Sequence, residues 1–117
     1  MGRLTTHVLD TARGSPASGL SIDLFCLDGD VPVLIKTTKT NDDGRCDAPL
    51  LEGDALQKGR YQLLFKVAEY LRRCGNDLPE IPFLEDVVIN FGVEDSEQHY
   101  HVPLLLSAYG YSTYRGS

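Results

Sequence analysis

The residues of this sequence best suited to proton transfer are its three histidines, His7, His99 and His101. An imidazole has an ordinary pKa of about 6.5, so it can take or give a proton near neutral pH. Strand alternation places His99 and His101 on one face, while Tyr100 and Val102 fall on an apolar face. The pattern predicts that both histidines project away from the core, toward solvent or a partner subunit. Spacing alone describes equally well two solvated histidines on the polar face of a strand.

A metal site is the second chemistry that three histidines could support. The pair His99 and His101 and the distant His7 could supply three nitrogen ligands to a zinc ion that keeps one open position. Such a site requires His7 to lie beside the pair in space, which the spacing along the chain leaves open.

Two further features carry recognition chemistry. Arg45 follows a turn at residues 41–44, where an arginine can hold an anion through two hydrogen bonds. The tail at residues 109–117 is dense in hydroxyl groups and aromatic rings and contains one cation, Arg115. Such composition suits an exposed edge strand or a subunit interface. Taken alone, residues 99–117 therefore predict an outward-facing edge, rich in polar and aromatic groups, on which histidines could do chemistry.

Alternation of apolar and polar residues predicts the strands that position these groups. The predicted strands cover residues 4–10, 20–26, 33–40, 45–48, 60–67, 87–93, 98–106 and 109–115. Pro103 cannot donate to a sheet ladder, so its strand is predicted to lie at an edge or to turn that position outward. Apolar residues at helical spacing before Gly75 predict a short helix over residues 68–74. About eight short strands predict an all-β sandwich, with residues 1–117 in one domain.

Composition excludes several classes of partner. Hydrophobic residues make up 42% and charged residues 24%, which is ordinary for a folded chain. The net charge of −6 and the lack of a Lys/Arg block argue against nucleic acid or an anionic membrane as partner. Three cysteines without a C-x-x-C pair argue against a disulfide framework. No apolar run has the length of a signal peptide core or a membrane span, so we expect a cytoplasmic protein.

The tail and two upstream motifs resemble one known family. Residues 99–107 (HYHVPLLLS) and 109–117 (YGYSTYRGS) are similar to the C-terminal signature of the transthyretin-related proteins. The final Tyr-Arg-Gly-Ser marks the family's enzyme branch, which hydrolyses 5-hydroxyisourate, rather than its hormone carriers. Residues 4–10 (LTTHVLD) resemble the N-terminal motif, and residues 43–45 and 48–51 resemble the middle motif. The chain departs from the family at Ala108, where a proline is usual; this loosens a turn and removes no proposed catalytic group.

The resemblance implies a transthyretin-like sandwich of two four-stranded sheets with one short helix. It also implies a homotetramer with sites between dimers and a small-molecule substrate. The implied reaction is attack of water on a ring carbonyl of 5-hydroxyisourate, with cleavage of the amide bond to give 2-oxo-4-hydroxy-4-carboxy-5-ureidoimidazoline. No metal or organic cofactor is implied.

The resemblance also implies which residues do the chemistry. The family's catalytic groups fall on His7, Arg45, His101 and Ser117. One histidine would activate water, with His7 favoured as the base or orienter of water and His101 as its partner, although the sequence leaves their order open. Arg45 would hold the substrate and oppose charge on the attacked oxygen, and Ser117 would hydrogen-bond substrate or water. Tyr114 would help to shape the pocket, and His99 is treated as a neighbour.

The main alternative is a carrier that uses the same cleft between dimers for a hydrophobic ligand. Arg45 and the histidines argue against a carrier, because such a channel has no use for groups that transfer protons.

Overall fold

The computed structural model describes residues 1–116 as two facing β-sheets with one α-helix. The strands are β1 (Arg3–Asp10), β2 (Ser15–Pro16), β3 (Ser21–Cys26), β4 (Val33–Lys39), β5 (Leu51–Glu52), β6 (Gly59–Phe65), β7 (Val87–Val93), β8 (Tyr100–Ser107) and β9 (Gly110–Thr113), and the helix is α1 (Val67–Arg73). One sheet has the order β2-β1-β8-β9, with β5 also paired to β1, and the other has the order β4-β3-β6-β7. The pairing of β1 with β8 is parallel, and the other strand pairs are antiparallel.

The predicted all-β sandwich with one short helix is confirmed, and alternation explains its core. In β1 every second side chain from Leu4 onward is buried, while the intervening ones face outward. In β6 the buried set is Tyr61, Leu63 and Phe65. Because both sheets turn such faces inward, the core lies between them. One sheet has five strands rather than four, because the two-residue strands β2 and β5 both pair with β1.

Three sequence predictions need correction. The strand predicted at residues 45–48 is not formed, and Arg45 makes only a single bridge to His7. Strand β8 is not an edge, because it lies between β1 and β9. Pro103 is tolerated there because the ladder with β9 begins one residue later, at Leu104. The helix begins and ends one residue earlier than predicted, and Gly75 follows its C-terminal cap with a φ of 87°.

A buried hydrogen bond fastens α1 to the end of β1. The Tyr70 hydroxyl donates to Oδ2 of Asp10 at 2.9 Å, and both side chains are almost fully buried. Burial, together with the neighbouring carboxylate, raises the pKa of the Tyr70 hydroxyl, which therefore stays protonated and can donate. Within residues 1–116, no helix is long and apolar enough to cross a membrane.

Candidate active site

The candidate site lies on the outer face of the pair β1 and β8. Because these strands run parallel in register, Thr5 lies beside His101 and His7 lies beside Pro103. The odd-numbered residues of β1 face outward, which puts Thr5 and His7 on the same side of the sheet. Residues 96 positions apart in the sequence are thereby brought into contact.

A tight turn before Arg45 brings this arginine to the same face. The main-chain N–H groups of Asp43 and Arg45 both donate to Oδ1 of Asn41, at 2.9 and 3.2 Å. Gly44 has a φ of 76°, and a side chain there would collide with the carbonyl oxygen of Val8. The turn can therefore approach β1 closely, and Arg45 forms an antiparallel bridge with His7.

His7 is held by this turn through its ring. Its Nε2 lies 2.8 Å from the carbonyl oxygen of Asp43. A carbonyl can only accept, so Nε2 carries the proton and donates it to Asp43. In the neutral ring, Nδ1 is then the unprotonated nitrogen.

His101 is held differently. Its Nδ1 lies 2.8 Å from the hydroxyl oxygen of Thr5. Partial burial lowers the pKa of His101, and the nearby charges of Arg45 and His7 lower it further. His101 is therefore neutral near pH 7 and able to accept a proton.

A cleft of about 410 Å³ opens beside these groups. Its walls are formed by Arg3, Thr5, Thr6, Arg45, Cys46, Asp47, Ala48, Pro49, His99 and His101. This volume suits a small molecule. These residues include His99 and His101 but not His7, whose ring contacts the turn instead.

The C-terminal tail lies against His101. The N–H of Gly116 donates to the carbonyl oxygen of His101 at 2.8 Å. Before it, the Arg115 guanidinium lies 4.3 Å from the centroid of the Tyr100 ring and donates to the carbonyl oxygen of His99 at 3.2 Å. These contacts hold the tail beside the cleft. The predicted catalytic residue Ser117 lies outside the described residues.

Comparison with known proteins identifies the family. The model of the HIUase/Transthyretin family matches residues 4–116. The chain belongs to this family. It is 60% identical, over 99% of its length and 97% of the relative, to 5-hydroxyisourate hydrolase 2 of Rhizobium meliloti (strain 1021).

Two solved structures are similar in fold. The crystal structure of (S)-allantoin synthase matches 99% of this chain at 41% identity and a TM-score of 0.94, and the chain spans 44% of that protein. Sea bream transthyretin in complex with thyroxine matches 97% of this chain at 25% identity and a TM-score of 0.87, over 94% of its own length. The transthyretin-like fold is therefore confirmed.

Tyr114, which the sequence predicts to shape the pocket, does not line the cleft beside His101 within this chain. It is 60% exposed and lines a second cavity, of about 630 Å³, between the β7 and β9 sides of the sandwich. Its role in the site therefore stays a prediction. The structure brings together His7, Arg45 and His101 and sets Tyr114 apart from them.

Several residues at the site escaped the sequence prediction. Thr5 is one of them, although its alternation with His7 along the first strand was a signal for it. Cys46 and Asp47 line the cleft because they follow Arg45, and burial raises the pKa of the Cys46 thiol, which stays protonated. Within residues 1–116, no three His, Cys, Asp or Glu side chains are grouped so that they could hold a metal ion. The three-histidine metal site is therefore not assembled in this chain.

Proposed function

We propose that this protein hydrolyses 5-hydroxyisourate to 2-oxo-4-hydroxy-4-carboxy-5-ureidoimidazoline in urate degradation, without a metal or organic cofactor. The observation that carries the proposal is the convergence of His7, Arg45 and His101 on one face of the β1–β8 pair. A relative named 5-hydroxyisourate hydrolase 2 shares 60% of the sequence over almost the full chain, which supports the same chemistry here. The thyroxine-bound transthyretin shares only 25%, which makes a carrier the weaker alternative.

His101 is the proposed base. It lines the cleft, its lowered pKa keeps it neutral near pH 7, and its Nε2 makes no hydrogen bond within the part of the chain that is described. Nε2 takes a proton from water while the water oxygen bonds to the ring carbonyl carbon. As the carbon–nitrogen bond breaks, the imidazolium returns that proton to the leaving nitrogen, so that one water is added overall. Such proton transfer contributes about 10²–10⁴-fold to a rate.

The remaining groups have supporting roles. Arg45 holds the substrate and opposes negative charge on the attacked oxygen as it develops. The Asp43 carbonyl fixes the ring of His7. His7 orients Arg45 through the β-bridge between the two residues, and its ring orients the water. Ser117 follows Gly116 directly and is proposed to hydrogen-bond substrate or water.

We also propose that the protein works as a homotetramer whose sites lie between dimers. Large aromatic side chains on the surface support this. Phe83 and Tyr109 are each 72% exposed, and their ring centroids are 6.1 Å apart. Sedimentation velocity should give four times the chain mass of 12.9 kDa. Full activity in a species with the mass of one chain would contradict the proposal.

The function is tested by adding the protein to freshly made 5-hydroxyisourate and following its ultraviolet absorbance. We expect decay far faster than the spontaneous rate. His101→Asn and Arg45→Ala should each lower kcat/KM by about 10²-fold or more, because one removes the base and the other the charge that faces the oxygen. Decay at the spontaneous rate with the unmodified protein would reject the function.

Two variants serve as matched controls. Arg60→Ala removes an exposed arginine of β6 in the other sheet and should leave kcat/KM unchanged. His99→Asn removes the cleft histidine to which no proton transfer is assigned and should have a much smaller effect than His101→Asn. Equal losses for the two histidine variants would overturn the assignment of the base.

A further inference from the structure

A hydrogen bond with Thr5 holds the ring of the proposed base, His101. Thr5 and His101 are direct neighbours across β1 and β8, and their side-chain atoms Oγ1 and Nδ1 are 2.8 Å apart. The next residue, Thr6, is 2% exposed and uses its hydroxyl on the carbonyl oxygen of Val102, at 2.7 Å. The hydroxyl of Thr6 thus bonds to the main chain of the neighbouring strand, whereas the hydroxyl of Thr5 bonds to the His101 ring.

Such a contact decides which ring nitrogen can react. A neutral imidazole has one N–H and one bare nitrogen, and the partner of one nitrogen sets the state of the other. A threonine hydroxyl can accept from Nδ1–H, and Nε2 is then bare and faces no protein partner among residues 1–116. A hydroxyl that donated to Nδ1 would instead leave the proton on Nε2, which could not then act as a base.

We propose that Thr5 is a positioning residue that accepts a hydrogen bond from Nδ1–H of His101, fixes the ring orientation and keeps Nε2 unprotonated for catalysis. This inference rests on the proposed function, because only a hydrolytic base requires a bare Nε2. His7 is held in the opposite sense, with Nε2–H bound to the Asp43 carbonyl. The two histidines of the site thus carry their protons on different nitrogens.

The hydrogen bond also has a predictable effect on acidity. An acceptor on Nδ1–H stabilises the imidazolium more than the neutral ring, so its removal lowers the pKa of His101. A donor to Nδ1 would have the reverse effect. The direction in which the pKa moves when the Thr5 hydroxyl is removed therefore separates the two arrangements.

The test compares Thr5→Val, which keeps the shape and loses the hydroxyl, with Thr5→Ser, which keeps the hydroxyl. We expect Thr5→Val to lower kcat by about 10–100-fold, by analogy with the loss when the partner that orients a metal-bound histidine is removed. The acidic limb of kcat/KM should move to lower pH. Thr5→Ser should retain most of the rate and the original pH profile. Thr37→Val, on an exposed threonine of the other sheet, controls for the substitution itself.

Nitrogen-15 NMR of the histidine rings supplies a readout that is independent of activity. In the unmodified protein above its pKa, His101 should show a protonated Nδ1 and a bare Nε2. A proton on Nε2, an acidic limb that moves to higher pH in Thr5→Val, or unchanged kinetics in that variant would each overturn the inference. If the protein does not accelerate the decay of 5-hydroxyisourate, the function fails instead, and the NMR result still decides the tautomer. If Thr5→Val does not fold, the NMR result and Thr5→Ser decide it.

Discussion

Gly116 brings the tail into contact with His101, and an alanine there tests how strongly the site depends on that approach. A Cβ atom on Gly116 would lie 2.6 Å from Cδ2 of the His101 ring and 3.2 Å from Cγ. Ordinary contact begins at 3.4 Å, so the ring or the tail would have to move by about 0.8 Å because packed atoms cannot overlap. Gly116 has no positive φ, so this collision alone decides the outcome.

The expected loss follows from the size of that movement. A misplacement of about 1 Å at a catalytic centre can cost about 10²-fold in rate. We therefore expect Gly116→Ala to lower kcat/KM by between about 10-fold and 10²-fold. The free energy of unfolding should fall by no more than about 2 kcal/mol, because the described hydrogen bonds at risk are the one from the Gly116 N–H to the His101 carbonyl and the one between Thr5 and the His101 ring.

The assay is the initial rate of absorbance decay with the spontaneous rate subtracted, together with urea unfolding of the same samples. Gly110→Ala is the matched control, since a Cβ there meets no atom within 4 Å and Gly110 also has no positive φ. If both variants retain the unmodified kcat/KM, the tail does not constrain His101 and the reasoning is refuted.

Three further predictions concern stability, pH and the turn. Tyr70→Phe removes the donor to the buried Asp10 carboxylate and should lower the free energy of unfolding by about 1–3 kcal/mol, measured in urea, without changing kcat. Folding lowers the pKa of His101, so the unfolded chain binds that proton more tightly. The contribution of His101 to the free energy of unfolding is therefore complete above about pH 6.5. It is lost as the pH falls from there toward the lower pKa of the folded state. Urea unfolding at several pH values should show this dependence in the unmodified protein and not in His101→Asn. Asn41→Ala removes the acceptor for the N–H of Arg45 and should lower kcat/KM by about 10-fold through misplacement of Arg45, as measured in the absorbance assay.

Each of these has a control. Tyr109→Phe removes an exposed hydroxyl and should leave the free energy of unfolding unchanged, so an equal effect of both tyrosine variants would contradict the role of the buried pair. A pH dependence that is the same with and without His101 would show that another group is responsible. Asn41→Asp keeps the Oδ1 acceptor but loses the Nδ2–H donor to the Asp47 carboxylate at 3.0 Å, so it should recover only part of the rate lost in the alanine variant.

Alternation was enough to predict most of the sandwich, because every long strand except β4 buries one face. In β6 and β8 the apolar residues recur with a period of two, and both strands form close to their predicted bounds. The same rule failed at residues 45–48, where the turn built around Asn41 directs Arg45 to β1 and leaves only a single bridge. The strands β2 and β5 have two residues each, which is too short for any period to be visible.

The site was only partly predictable, for a different physical reason. Residue type identifies histidines and arginine as groups that could do chemistry, and strand alternation orients His101 outward. Neither residue type nor alternation predicts that β1 pairs with β8. This pairing brings Thr5 next to His101. Which nitrogen of each ring is engaged depends on partners supplied by the tertiary structure, Asp43 for His7 and Thr5 for His101.

The parallel pairing of β1 with β8 also has a consequence for how the chain folds. The Thr5–His101 contact closes a loop of 96 residues, and contacts of such long separation form late because the entropy of closing the loop is lost before they contribute. During synthesis β1 emerges before β8 and must wait for it, since six further strands and the helix are made between the two. The buried side chains of β1 are therefore exposed to aggregation until β8 has been made, and the catalytic site is expected to form only when the two strands pair.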